Sequence, residues 1–322
     1  MAQQNHDPTA GDVLGVYLRS QATAFLRALR LHDAGAAGAG GGGPDTGHDG
    51  EAAHGLRGAA RRIASSLSTF RAVTQAGWAD PLRTELVWLS STLADEHAYA
   101  ARLARLLEAL QRLSASPEVP APRGSASGAL TVGSARAGAL LERQLTLART
   151  RAHSATLQAL GSARFHAVAD AVAVLASEVP LDPVAAGGRV DDVLTPLAAV
   201  ARTRLETAIT ALPATDASAP YSAHADAAWH EVRRLLRVHR YAREALGAYE
   251  PHLAAASEAL NQHRDASEAA TASAAAARTP RIAPATAYAL GVLHADQRHA
   301  VEASRLSFHT LWQPAAAVPA GS

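Results

Sequence analysis

The chain has 322 residues and a formal net charge of +1, with 48% hydrophobic residues but only 4% aromatic ones. It contains no cysteine, and all thirty of its basic residues are arginine. Disulfides, thiolate metal sites and thiol nucleophiles are therefore excluded, as is a Walker-type phosphate loop, which needs lysine. Because the net charge is small, an anion-binding site requires local segregation of the arginines.

Alanine dominates the apolar residues, which favours closely packed helices over sheets rich in Val, Ile and Tyr. The fold is therefore predicted to be all-α. The polar start of the sequence lacks the apolar core of a signal peptide, and no run of eighteen apolar residues is present. We expect a soluble cytoplasmic protein that does not bind membranes.

In chain order, the pattern predicts an amphipathic helix over residues 11–31 and then a mobile Gly/Asp-rich loop over 33–50. A helix follows around His54, and Pro81 is predicted to begin the next one. The Pro/Ser/Gly-rich residues 114–128 form the best candidate linker. Further helices, broken near Pro180, Pro183, Pro280 and Pro284, bring the expected total to about nine to eleven, and residues 314–322 are expected to be a disordered tail.

The most informative segment is residues 228–246. On a helix with about 100° per residue, its arginines fall in a band roughly 100° wide, opposite the apolar side chains. This cationic stripe consists of His230, Arg233, Arg237 and Arg240, with Tyr241 and Glu244 in the same band.

A second stripe follows His54, with Arg57 three residues on and Arg61 seven residues on. The repeated spacing suggests an internal duplication. Residues 54–71 contain four arginines and no acid, whereas a solvated face usually mixes signs, because like charges at i,i+4 cost about 0.2–0.5 kcal/mol per pair. An anion-binding stripe is therefore favoured over a solvated surface.

At these residues the sequence resembles the CHAD family, the conserved histidine α-helical domain. The second stripe follows the family pattern closely, and the first follows it through His54, Arg57, Arg61, Arg62 and Phe70. Residues 259–265 resemble the family's leucine–glycine–aspartate turn, with Asn261 in place of glycine. Two departures are Ala64, where the family has a basic residue, and residues 94–97, where it has an Arg-Asp pair.

The resemblance implies one CHAD domain over residues 12–313, with halves 12–113 and 129–313. It implies two helical bundles related by a pseudo-two-fold duplication, with a basic groove or pore between them. The implied function is non-catalytic binding of inorganic polyphosphate, free or in granules. The implied phosphate ligands are His54, Arg57, Arg61, Arg62, His230, Arg233, Arg237 and Arg240.

Three other residues are candidates for the same groove. Tyr241 is as well explained by burial as by ligand contact. Arg202 and Arg204 precede the second stripe, although each taken alone is better explained as solvated. Glu244 is expected to orient Arg240 or Arg237.

No histidine spacing predicts a catalytic metal, no nucleophile motif is present, and no cofactor is expected. Three alternatives stay open. Nucleic-acid binding is disfavoured by the scarcity of aromatic residues for base stacking. A phosphate-chain enzyme would need an acidic strand motif with lysines. A scaffold that has lost its ligand is favoured by the two departures from the family pattern.

Overall fold

The computed structural model describes residues 7–38, 46–115, 126–213 and 223–312. Within these ranges the chain forms ten α-helices, one 3-10 helix and no strand, which confirms the predicted all-α class. The α-helices are α1 (Ala10–Gly38), α2 (Thr46–Thr69), α3 (Ala76–Ala115), α4 (Ala126–Leu160), α5 (Ala163–Ser177), α6 (Pro183–Ala186), α7 (Val190–Thr210), α8 (Asp226–Ala245), α9 (Pro251–Ala277) and α10 (Pro284–Trp312).

Helix boundaries follow local side-chain chemistry. Ser162 caps α5 by accepting a hydrogen bond from the Phe165 amide, 3.2 Å from oxygen to nitrogen. Asp182 caps the short helix α6 in the same way, with Pro183 in its first turn. α10 begins at Pro284, whose missing N–H costs nothing at a helix start.

Two expected boundaries are wrong. α3 begins five residues before Pro81 and contains it, although proline lacks the N–H of one helical hydrogen bond. α1 and α2 both extend into the segment predicted as a loop over 33–50, since its alanines favour helix. Residues 259–265, which resemble the family's leucine–glycine–aspartate turn, lie inside the continuous helix α9, and a helix over residues 252–277 is what the sequence pattern predicts.

The rest of the predicted loop, residues 39–45, and most of the predicted linker, residues 116–125, lie outside the described residues. So does the predicted tail, 314–322. α3 continues to Ala115 and α4 begins at Ala126, so the described helices reach into both ends of the linker.

The chain divides into two compact units. Unit 1 comprises Met1–His97, Arg151–Thr207 and Leu235–Glu250, and unit 2 comprises Ala98–Thr150, Ala208–Arg234 and Pro251–Ser322. Each unit combines segments from both sides of the predicted linker, and α8 contributes its first part to unit 2 and its second part to unit 1. The predicted halves and their duplication stay a prediction.

The core of unit 1 is built around α1, α2, the first part of α3, and α5. Leu14, Phe25, Leu56, Ile63 and Phe70 are fully buried there. The apolar face of α2 therefore packs inward, which turns its arginine face outward.

The core of unit 2 uses small side chains so that helices approach closely. Leu141 of α4 and Leu290 of α10 are buried among alanines of α9 and α10. At Gly133 of α4 the approach is extreme, because a Cβ added there would lie 2.2 Å from the carbonyl oxygen of Ala285. Only glycine fits at that position.

Among the described residues, no single helix has the length and apolar character needed to cross a membrane. One bent pair of segments, Val132–Leu160 with Ala163–Ser177, passes the same test by length and composition alone.

Candidate functional site

The first stripe lies on the outward face of α2 in unit 1. His54 is exposed, and Arg57, Arg61 and Arg62 are half-buried. Although His54 is exposed, partial desolvation by neighbouring side chains is the main cause that lowers its pKa, followed by the charges of Arg61, Arg57, His97 and Arg62. All four of these groups are basic, so the structure gathers positive charge around His54. The contribution of His97 from α3 was not predicted, because it belongs to the segment that departs from the family pattern.

Arg62 joins α2 to the second part of α8 within unit 1. Its Nε donates to Glu244 Oε1 at 2.9 Å, and its guanidinium carbon lies 5.1 Å from the centre of the Tyr241 ring. The pKa of Arg62 is raised: burial acts to lower it, but Tyr241 and Glu244 together act more strongly. An arginine between a carboxylate and an aromatic face is held in one orientation.

The side chain of Tyr241 is almost fully buried, with 2% of the residue exposed. The ring of Tyr241 packs beside both Arg62 and Arg240, and contact of Tyr241 with a ligand stays a prediction. The ion pair of Glu244 with Arg62 joins residues 182 positions apart. Local sequence spacing could not indicate that partner.

The second stripe continues along α8 through both units. Arg237 and Arg240, in unit 1, are half-buried, and Arg240 lies with its guanidinium carbon 5.4 Å from the centre of the Tyr241 ring. In unit 2, Arg233 Nε donates to Asn261 Oδ1 of α9 at 2.9 Å. His230 Nε2 lies 3.2 Å from Ser267 Oγ, also on α9. As α8 advances from 230 to 233, its partners on α9 descend from 267 to 261, so the two helices run antiparallel there.

A buried charge network lies at the start of α8 in unit 2, and sequence reasoning missed it. The Asp226 carboxylate accepts hydrogen bonds from Arg298 Nη1 and from Arg305 Nη2, each at 2.7 Å. The Arg298 side chain is only 1% exposed. A usable signal was present, because Arg298 and Arg305 are seven residues apart and therefore share one face of α10.

His263 of α9 completes this network. Its ring stacks on Trp229 with 5.5 Å between centres, and its Nε2 accepts a hydrogen bond from Arg305 Nε at 3.3 Å. Burial, reinforced by the charge of Arg305, lowers the pKa of His263 to about 3, although Asp226 acts to raise it. The imidazole is therefore neutral at physiological pH.

This depressed pKa predicts that acid destabilises the protein. Unfolded histidine has a pKa of about 6.5, so below that pH the unfolded state binds a proton that folded His263 does not bind. Stability is expected to fall as pH drops from 6.5 towards 3, by at most about 1.4 kcal/mol per pH unit from this residue. Urea midpoints measured from pH 7.5 to 4.5 should show a shallower slope for His263→Gln than for the wild type. Equal slopes in the two proteins would contradict the assignment of this acid sensitivity to His263. The control is His166→Gln, a substitution of an exposed histidine.

The two additional arginines of α7, Arg202 and Arg204, are exposed. Arg202 Nε donates to Glu206 Oε1 at 2.8 Å, and this bond is the main cause that raises its pKa. Burial is the main cause that lowers the pKa of His239, and the charge of Arg202 acts in the same direction. His239 lies on the side of α8 opposite His230. The contacts of Arg202 therefore do not bring it to the stripe, and its role in ligand binding stays a prediction, as does that of Arg204.

Among the residues that the structure describes, no group of three or more His, Asp or Glu side chains has an arrangement that could hold a metal ion. The guanidinium groups of the two stripes are able to bind anions.

Comparisons with known proteins agree with this architecture. The sequence pattern of the CHAD domain matches residues 20–274. The chain is similar to the solved structure of PptA from Streptomyces chartreusis, with 55% identity, a TM-score of 0.80, and coverage of 96% of this chain and 100% of the other.

A second similar structure is the CHAD domain from the plant Ricinus communis, with 23% identity, a TM-score of 0.59, and coverage of 94% of this chain and 92% of the other. At that identity the similarity concerns the fold alone. No curated protein matches the sequence. Since the family pattern covers more than half of the sequence, the chain belongs to the CHAD family.

Proposed function

We propose that this protein binds inorganic polyphosphate, without catalysing a reaction, through the arginines of α2 and α8. The observation that carries the proposal is the gathering of Arg57, Arg61, Arg62 and His97 around His54, in a protein whose net charge is only +1. A bound anion would be stabilised by such a concentration of basic side chains. The chain belongs to the CHAD family, and the resemblance to that family implies polyphosphate as the ligand.

The spacing of the arginines suits a phosphate polymer. Residues at i,i+3 and i,i+4 on a helix lie about 5–6 Å apart, so Arg57 with Arg61 on α2, and Arg237 with Arg240 on α8, each present a row of guanidinium groups. Guanidinium donates two parallel hydrogen bonds to phosphate oxygens, and it stays charged at any physiological pH. A polymer with a negative charge on every unit engages such a row better than a single phosphate does.

The arginines of the row differ in their surroundings. Arg62 is held by Glu244, and Arg233 by the neutral amide of Asn261. Ala64, which stands where the family pattern has a basic residue, is buried. We propose Arg57, Arg61, Arg62, Arg233, Arg237 and Arg240 as phosphate contacts, with Arg62 and Arg233 oriented by these partners. His54 remains part of the proposed row.

Polyphosphate is expected to stabilise the folded protein by mass action. A ligand present at a hundred times its Kd stabilises by about 2.7 kcal/mol, which raises the melting temperature by several degrees. The shift in melting temperature should shrink steeply as the salt concentration increases, because salt also weakens the binding of proteins to the phosphate backbone of nucleic acids. Differential scanning fluorimetry with long-chain polyphosphate, with orthophosphate at equal phosphorus concentration as the control, measures both effects. No shift at low ionic strength with excess polymer would rule out the proposal and favour a scaffold that has lost its ligand.

Two further measurements separate the proposal from its alternatives. Polyphosphate should displace single-stranded nucleic acid from the protein. If instead nucleic acid displaces polyphosphate and polyphosphate does not displace nucleic acid, the result would favour nucleic acid as the ligand. Phosphate release from polyphosphate with magnesium or manganese would show catalysis. The cytoplasmic location expected from the sequence stays a prediction.

A further inference from the structure

His230 has a hydrogen-bond geometry that fixes its tautomer. Ser267 Oγ lies 2.9 Å from the carbonyl oxygen of Arg264 and donates its single hydrogen to that oxygen. The hydroxyl oxygen therefore faces His230 Nε2, 3.2 Å away, as an acceptor. Nε2 therefore carries a proton, so the neutral form of the ring is the Nε2–H tautomer, with Nδ1 unprotonated.

The other face of His230 is packed. The His263 ring meets it edge to face, with 5.7 Å between centres and 81° between planes. His263 is in turn held by Trp229 and Arg305, as described above. A rotation of the His230 ring would disrupt both the hydrogen bond to Ser267 and this packing, so the side chain is held in place by α9.

The burial of His230 disfavours a second proton on its ring. Burial is the main cause that lowers its pKa; Asp226 and Glu268 act to raise it, whereas Arg233 and Arg264 act to lower it. Glu268 is itself in an ion pair with Arg102 of α3, and Asp226 with the two arginines of α10. The acids near His230 are therefore already neutralised by arginines, and the ring is neutral at physiological pH.

His230 and Arg233 together attach α8 to α9. They are one helical turn apart, and their partners Ser267 and Asn261 lie on facing turns of α9. The His230 contact fixes the register of the two helices, and that register brings Asn261 to the Arg233 guanidinium. Loss of the His230 contact would release Arg233 from its orientation.

We infer that His230 is a positioning residue, which in its neutral form holds α8 against α9 and thereby orients Arg233, and that it is not itself a phosphate-binding cation. The inference rests on the proposed function for Arg233 as a phosphate contact. On this inference His230 is not one of the phosphate ligands, and it acts by holding α8 against α9.

The protonation is tested on the ligand-free protein. Imidazole ¹⁵N NMR of the full chain at pH 7 should show His230 as the neutral Nε2–H tautomer, and the same tautomer should persist after polyphosphate is added. A charged His230 ring, or the Nδ1–H tautomer, would overturn the inference. This readout needs no substitution and does not depend on which ligand binds.

The role of His230 is tested by a double-mutant cycle with Arg233. His230→Leu should lower polyphosphate affinity about tenfold in the wild-type background, but less than twofold when Arg233→Gln is already present, because it acts through that arginine. His230→Gln should restore most of the loss, since the glutamine amide nitrogen lies near the position of Nε2. Equal losses from His230→Leu in both backgrounds would overturn the inference.

A pH series provides the second readout. The affinity ratio between the wild type and His230→Gln should stay constant from pH 8 to pH 5.5. A ratio that grows as pH falls through 6.5 would show that a charged His230 binds the anion. If Arg233→Gln alone leaves the affinity unchanged, the proposed function of this stripe fails, whereas the NMR result still decides the protonation of His230.

Discussion

Replacing Arg57 and Arg61 by glutamine is expected to lower the affinity for polyphosphate by about a hundredfold or more at low salt. Each charged hydrogen bond contributes about 1.5–3 kcal/mol, so the two together contribute about 3–6 kcal/mol. Since about 1.4 kcal/mol corresponds to a tenfold change, even the lower figure exceeds a hundredfold. Both side chains are half-buried on α2, so they are less screened by solvent than fully exposed arginines.

The matched control is Arg136→Gln with Arg143→Gln. These arginines are exposed on α4, and their replacement changes the net charge by the same amount. Isothermal titration with polyphosphate of one chain length, at several salt concentrations, should show a large loss and a reduced salt dependence only for the α2 variant. Similar losses in both variants would mean that binding follows net charge, and the α2 stripe would not be a site.

The faces of the two stripe helices were predictable from hydrophobic periodicity. The helical pattern places six apolar residues opposite the first stripe, and all of them are buried: Leu56, Ala59, Ala60, Ile63, Leu67 and Phe70. Of the apolar residues that it places opposite the second stripe, Leu246 is half-buried, and the others are buried: Val232, Leu235, Leu236 and Ala242. Local periodicity suffices here because one face of an amphipathic helix must pack against the core, and the opposite face is then the one that carries the arginines.

The partners of the arginines were not predictable. Arg62 meets Glu244 across 182 positions, and Arg298 meets Asp226 across 72. Such pairs depend on how helices pack, and the helical period of one segment carries no information about another. The pattern therefore identified on which helix face the basic residues lie, whereas the structure was needed to find the acceptors of Arg62 and Arg298.

The bounds of the Gly-rich loop were predicted wrongly for a different reason. Glycine lowers helix propensity by about 1 kcal/mol relative to alanine, but residues 34–38 contain three alanines and only two glycines. α1 extends through them to Gly38. Composition alone overestimated the length of the loop.

Replacing Asp226 by alanine is expected to destabilise the folded protein by about 3–5 kcal/mol, because it leaves a buried charge without its carboxylate. The Arg298 guanidinium is the group affected most, since its side chain is 1% exposed and it donates to both carboxylate oxygens. Arg305 is affected less, because it also pairs with Glu302 at 2.8 Å. Asp226 lies in the first turn of α8, where a negative charge is further stabilised by the helix dipole.

The control is Glu231→Ala on the same helix, which removes an exposed ion pair with Arg234 and should cost at most about 1 kcal/mol. Urea unfolding gives the size of the effect, and hydrogen exchange locates it: α8 and α10 should lose protection, whereas α1 and α2 should not.

A second substitution separates the loss of the ion pair from the loss of packing. Asp226→Leu combined with Arg298→Met should recover much of the stability that Asp226→Ala loses, because apolar groups of similar volume can replace a buried pair whereas an isolated charge cannot be buried. If the double variant is as unstable as Asp226→Ala, the Asp226 carboxylate stabilises α8 mainly through Arg305 or the helix start. If Asp226→Ala itself costs no more than Glu231→Ala, the network does not hold α8 in place, and the orientation of Arg233 must then depend on α9 alone.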